Sequence, residues 1–278
     1  MTQTDAKTIA KHSKFSAGMW MAILMMAVLI TVNLWTLLEL KSSENLFSKQ
    51  QAFWSLCQGV GSAGQRADLF VKLVAEQNAE WKSAALQNLD LKGANLTARN
   101  LSKANFTGTQ FSNADFSKAN LQASTLDLCD CSSTTFQNAN LKEAQLFKSR
   151  LDDADFRSAE MVAANLEQCS GSNVSFVRAD LAGAYLSMAQ LSDADFTAAD
   201  LSGASLEAAS LINANLALAQ LTEANLTDVD FRGTNWWRSR GLEREQLEYL
   251  MVSFPPSKND APDRQRDFAL WQKSFLAN

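Results

Sequence analysis

The chain has 278 residues, 46% of them apolar and 20% charged, which excludes wholesale disorder. A net charge of −5 argues against a general nucleic-acid binder, whose surface would be basic. The single histidine, His12, stands in a tail with Lys7, Lys11 and Lys14, which leaves no basis for histidine-centred catalysis or a multi-histidine metal site.

After this tail (residues 1–14) comes an uncharged run of twenty-four residues, 15–38, nineteen of them apolar. As a helix it would be roughly 36 Å long, enough to cross a bilayer core of about 30 Å. Trp20 and Trp35 stand near its ends, where indole rings favour the headgroup region. The run exceeds a signal peptide's apolar stretch of about 7–15 residues, and Asn33-Leu34-Trp35-Thr36 is a poor cleavage context. The reading is therefore a single uncleaved transmembrane helix. Lys7, Lys11 and Lys14 against Asp5 keep the short tail in the cytoplasm, so the rest of the chain is expected across the membrane. Residues 39–83 read as a linker with Gly59, Gly61 and Gly64, followed by a helical cap containing Leu69, Phe70, Leu73, Val74 and Trp81.

From Leu86 to Trp236 every fifth residue is large and apolar, with few exceptions. Of these thirty-one positions nineteen are Leu and eight are Phe; the others are Cys131, Met161, Gly171 and Trp236. Two residues before them, twenty of the thirty-one are Ala, as in Ala94-Asn95-Leu96 and Ala154-Asp155-Phe156. A period of five suits neither a helix at 3.6 nor a strand at 2. It requires a chain that turns a corner every five residues.

The motif Ala-(Asp/Asn)-(Leu/Phe)-x-x resembles the pentapeptide-repeat family from about Ala84 to Trp236. That resemblance implies an all-β solenoid over residues 84–236, a right-handed quadrilateral β-helix in which four units make one coil. Stacked coils bury a common core that no single coil could bury. Residues twenty apart then form columns, and the sequence supports this. Five of the eight core phenylalanines, Phe116, Phe136, Phe156, Phe176 and Phe196, fall in one column. The next column, Leu101 to Leu221, holds no aromatic. Gly93, Gly108, Gly183, Gly203 and Gly233 all stand two residues after a core position, at a corner. At strand spacing the rod is roughly 35–38 Å long. Its last coil is expected to be covered by residues 237–278, read as two helices, Leu242 to Val252 and Pro262 to Phe275, on either side of Pro255-Pro256. Gly171, between Leu151 and Leu191 in its column, predicts either a gap or an inward kink separating two half-rods. An outward residue such as Asp155 is expected to be almost silent for stability.

The candidate chemistry is thin. Cys129, Cys131 and Cys169 occupy inward positions and read as small hydrophobes, while Cys57 lies outside the repeat. Cys129 and Cys169 are two coils apart, about 9–10 Å, too far for a disulfide. No phosphate loop, nucleophile elbow or Cys/His dyad occurs, so neither catalysis nor a cofactor or metal is expected. Charge, however, is uneven. Residues 82–157 carry nine Lys/Arg and eight Asp/Glu; residues 158–231 carry only Arg178 against ten acids. Asp180, Asp193, Asp195, Asp200 and Glu207 are the candidate docking face for a protein partner with a basic surface, with a solvated anti-aggregation surface as the plainer alternative.

These features predict a non-enzymatic, membrane-tethered interaction module of a bacterial inner membrane, its rod periplasmic and not bound to nucleic acid. Some members of the family mimic duplex DNA and protect gyrase, which makes a DNA-mimic inhibitor the competing expectation for the acidic half. End-to-end contact in the family also implies a homodimer through a rod end.

Overall fold

The structure, a computed structural model, describes residues 84–277 together with Ser62, Gln65, Ala67 and Phe70. The apolar run 15–38, the short tail before it and most of the linker lie outside the described residues. Among the described residues no helix is long and apolar enough to cross a membrane. Of the expected N-terminal cap, Gln65, Ala67 and Phe70 are helical, and Phe70 is fully buried.

From Ala85 onward the residue before each core position pairs in parallel with the residue twenty further on, as in Asn95–Asp115–Thr135–Asp155–Ser175–Asp195–Asn215. Four such ladders give the solenoid its four faces. Within one unit the bonding is regular. The Phe156 N–H donates to Ser175 O at 2.7 Å, the Ser158 N–H to Val177 O at 3.0 Å, and Ser175 N–H to Ala154 O at 2.9 Å. The coils are thereby joined by backbone bonds to the coil above and the coil below along each flat side.

The corners explain the period. After the core residue the chain makes a four-residue turn, closed in the Phe156 unit by Ala159 N–H to Phe156 O at 3.0 Å; after Gly171 it is a bend. The second central residue has positive φ in all thirty turns from Asn88 to Gly233, twenty-five of them at residues other than glycine. This is the signature of a type II turn, which demands the left-handed region at that position. None of the twenty-five is β-branched or aromatic, because such side chains fit that region worst.

The Asp/Asn preference has an equally local cause. Asn95, Asp115, Asn140 and Asp155 each accept the N–H of the residue two further on, at 2.8–3.1 Å. The side chain thus holds the turn that follows it, an Asx turn.

Inside, the column Phe116–Phe136–Phe156–Phe176–Phe196 is a continuous stack, with ring centroids 5.1, 4.7, 5.2 and 4.9 Å apart and planes within 10°. All five rings are fully buried. Below them Phe106, Phe111 and Phe116 meet edge to face at 4.9–6.4 Å.

Gly171 leaves no gap, and the irregularity there is local: residues 172–173 form a bend where the other units make a turn. The ladder Arg150–Ser170–Gln190 runs through it, and the Gly171 N–H reaches Gln190 O at 2.8 Å. The missing side chain is replaced by Val174, three residues on, where most units carry Ala. A Cβ at residue 171 would stand 2.7 Å from the Val174 Cγ2 and 3.0 Å from Leu151. The two half-rods expected from the sequence are one uninterrupted stack.

The C-terminal end is closed by aromatic side chains. A single 3-10 turn, Trp236–Arg238, leads to helix α1, Arg244–Ser253, and helix α2, Pro262–Ala277. Trp236, twenty residues after Leu216, is fully buried, and its Nε1–H donates to Phe254 O at 2.9 Å. Phe268 and Trp271 of α2 pack against it at 5.9 and 5.2 Å. Arg264 of α2 donates to the carbonyls of Gly233 and Thr234, satisfying edge acceptors that no further coil covers.

Candidate interaction surface

The inward small position shows how the described cysteines are used. At residues 109, 129, 149 and 169 a stack of Thr, Cys, Ser and Cys replaces alanine. Thr109 Oγ1–H donates to Leu86 O at 2.7 Å, Cys129 Sγ–H to Phe106 O at 3.1 Å, Ser149 Oγ–H to Leu126 O at 2.6 Å and Cys169 Sγ–H to Leu146 O at 2.8 Å. Thiol and hydroxyl do the same work, donating to a core-position carbonyl in the coil beneath. Burial pushes the Cys169 thiol up to about 12. Cys131 is raised too, by its hydrogen bond with Cys129 and by burial. Thiols held protonated are poor nucleophiles and poor metal ligands. All three are free and buried. Cys57 lies outside the described residues.

The five acids singled out by sequence do not share one face. Asp180 and Asp200 are successive members of a ladder that runs Asn100, Asn120, Asn140, Glu160, Asp180, Asp200, Gln220. Asp195 belongs to the neighbouring ladder, Asp193 to the corner before it, and Glu207 to the corner between the other two faces. Three of the five also have a structural task. Asp180, Asp195 and Asp200 accept the N–H of Ala182, Thr197 and Ser202 at 3.2, 2.9 and 2.9 Å. The acidic half is therefore a belt around the rod, and only Asp193 and Glu207 of the set stand at turn positions.

The first, near-neutral half balances its charge locally. Arg150 reaches Asp130 in the coil beneath at 2.8 Å, and Lys142 reaches Glu160 in the coil above at 2.8 Å. Arg157 pairs with Asp155 at 2.6 Å.

Two clefts lie where the helices meet the last coils. A cleft of about 330 Å³ lies between Asn215, Asn235, Trp237, Arg238, Arg264 and Asp267. Its charges are already engaged, Arg238 with Asp267 and Arg264 with the Gly233 and Thr234 carbonyls. A second, of about 270 Å³, is walled by Leu226, Phe231, Tyr249 and Leu250. No group of three or more His, Cys, Asp or Glu side chains among the described residues is placed to hold a metal ion.

Four ladders joined by type II corners, with Leu or Phe inward at every fifth residue, define a right-handed quadrilateral β-solenoid. The chain belongs to the pentapeptide-repeat family: the family described as Pentapeptide repeats matches in eight copies across residues 90–197 and 199–235. Solved structures similar to it include HetL, a heterocyst-differentiation regulator from the cyanobacterium Nostoc sp. strain PCC 7120 (23% identity, 62% of this chain and 95% of that one, TM-score 0.27). Full-length QnrB1, a plasmid-mediated fluoroquinolone resistance protein, matches at 24% identity over 60% of this chain and 87% of its own, with a TM-score of 0.36. A pentapeptide-repeat protein of the Arabidopsis thaliana thylakoid lumen matches at 20% identity over 69% and 89%, with a TM-score of 0.22. No curated protein matches the chain.

Proposed function

We propose that this protein is a non-enzymatic interaction module, tethered by residues 15–38 in a bacterial inner membrane, whose solenoid docks a protein partner with a basic surface in the periplasm. The observation that carries the reading is the sorting of charge on an uninterrupted scaffold. One set of ladders runs through both halves, yet residues 158–231 carry ten acids against Arg178 while residues 82–157 are balanced. A continuous ladder holds these charges at fixed spacing, which favours recognition of an extended partner surface over a small substrate. A homodimer through a rod end belongs to the same proposal.

A second reading, protection of a DNA-binding enzyme by DNA mimicry, draws on the same acids. It requires a cytoplasmic solenoid, so topology separates the two. A phosphatase fused after Asn278 is expected to be active and a fluorescent protein at that site dark. The partner is expected to co-purify from detergent-solubilised membranes and to be released by salt. A bright fluorescent fusion with an inactive phosphatase would overturn the first reading in favour of the second.

A further inference from the structure

The corner that follows the column Leu126–Leu146–Leu166–Leu186–Leu206 differs from a merely solvated edge. Of the four large apolar side chains exposed on the coils, Leu128, Tyr185, Met188 and Leu218, the first three lie on this corner or on the face leading into it. Leu128 and Met188 are 56% and 57% exposed. Backbone bonds fix the order of the stack: Leu128 N–H donates to Phe147 O at 2.9 Å, Lys148 N–H to Glu167 O at 3.1 Å, and Met188 N–H to Glu207 O at 2.8 Å.

Along that line apolar and acidic residues alternate over four coils: Phe147 and Glu167 at the first turn position, Met188 at the second beside Ser187, and Glu207 at the first again. Asp127 and the exposed Leu128 share the coil beneath them. The acid repeat is two coils, about 9.6 Å at strand spacing. Seven residues of α-helix, two turns, rise about 10.5 Å. The mismatch is about 1 Å per repeat, small against the reach of a lysine side chain. The corner's one cation, Lys148, lies 5.0 Å over the Phe147 ring.

We propose that this corner is the docking line for an amphipathic partner helix that presents basic residues seven apart and apolar residues midway between them. The inference rests on the interaction-module reading and names its surface. Glu167 and Glu207 take the basic residues; Phe147 and Met188 take the apolar ones. Charge complementarity selects a basic helix over an acidic one. The alternation selects a helix laid along the corner over an extended segment, whose side chains on one face recur about every 6.6 Å.

The test uses the full-length chain in nanodiscs of zwitterionic lipid, with empty discs as background. The probe is a fluorescein-labelled 18-residue peptide with Lys at positions 2, 9 and 16, Leu at 5, 6, 12 and 13, and Ala or Gln elsewhere. Fluorescence anisotropy is expected to show salt-sensitive binding that falls tenfold or more in Glu167→Lys/Glu207→Lys. Asp193→Lys/Glu223→Lys makes the same change in net charge at other corners and is expected to stay within twofold of the parent. Absence of binding, an unaffected corner variant, or equal loss in both variants would overturn the proposal. If the peptide fails while the native partner still co-purifies and is released by salt, the interaction module stands and this corner is wrong.

Discussion

Truncating Phe156 to alanine tests the stacked core at its centre. The ring is fully buried, with neighbours at 4.7 and 5.2 Å and planes 2° and 10° apart. Removing it deletes a large buried side chain and two ring–ring contacts, in a stack whose strand spacing stops the coils from closing the void. The expected cost is about 3–5 kcal/mol. For a chain of this size that lowers the melting temperature by roughly 6 to 20 °C. The neighbour Asp155 provides the internal standard, and here the structure corrects the sequence-based expectation of silence. Its carboxylate accepts the Arg157 N–H at 3.0 Å and the Gln137 Nε2–H at 2.6 Å. Asp155→Ala is therefore expected to cost about 1–2 kcal/mol, while Asp155→Asn, which keeps an acceptor, costs less. Thermal melting by circular dichroism at several scan rates separates the three variants. If Phe156→Ala melts no lower than Asp155→Ala, the inward and outward assignments are wrong.

Gly171→Leu is expected to destabilise by about 1–3 kcal/mol through overpacking against Val174 and Leu151; Val174→Ala should recover part of the loss, and a raised melting temperature for Gly171→Leu would refute the filled-space account. At the left-handed corner residue Ala163, φ 55°, glycine should be tolerated and valine should cost more than about 1 kcal/mol; equal melting temperatures would remove the type II argument. Acid should weaken the fold. Ser117 holds the Asp115 carboxyl below the ordinary 3.8, and Arg232 and Arg238 do the same for Asp230 and Asp267. A depressed folded pKa contributes stability that is present above the unfolded value and lost as pH falls through the folded one, so melting temperature should drop between about pH 4 and pH 2. Asp127 runs the other way: burial raises its carboxyl, although it accepts the Phe147 N–H at 2.9 Å. Asp127→Asn should therefore be neutral or stabilising at pH 7, and a clear loss there would refute the desolvation account.

The solenoid was legible because its inward residues repeat along the chain and are sorted by size between columns, as the Phe116–Phe196 stack shows. What was hidden depended on contacts between coils. Nothing in the spacing of Cys129 and Cys169 marks them as donors, because the carbonyls they reach belong to Phe106 and Leu146, twenty-three residues earlier. The compensation for Gly171 was present in the sequence as Val174, but only packing shows that a side chain three residues away enters the same space. The acidic set failed as a face for a related reason. Charge counting places Asp180, Asp195 and Asp200 together, whereas the fold assigns them to two ladders and uses each to hold a turn.

That division of labour says where recognition is to be sought in this fold. Of the five residues in a unit, two face the core and are confined by volume. The one between them is outward but is used by the turn, as Asn95, Asp155 and Asp200 show. The second turn position must accept positive φ, so β-branched and aromatic side chains are absent from it in all thirty turns. Only the first turn position is free of all three constraints, and it carries the widest range of chemistry, with Lys142, Phe147, Arg157, Glu167 and Ile212 among its members. Sequence change there costs the solenoid least and alters the corner most. A partner that reads this protein by side chain is therefore expected to read it along a corner, which is why Phe147, Glu167 and Glu207, on one line with Met188, carry more information than the larger total of acids on the faces.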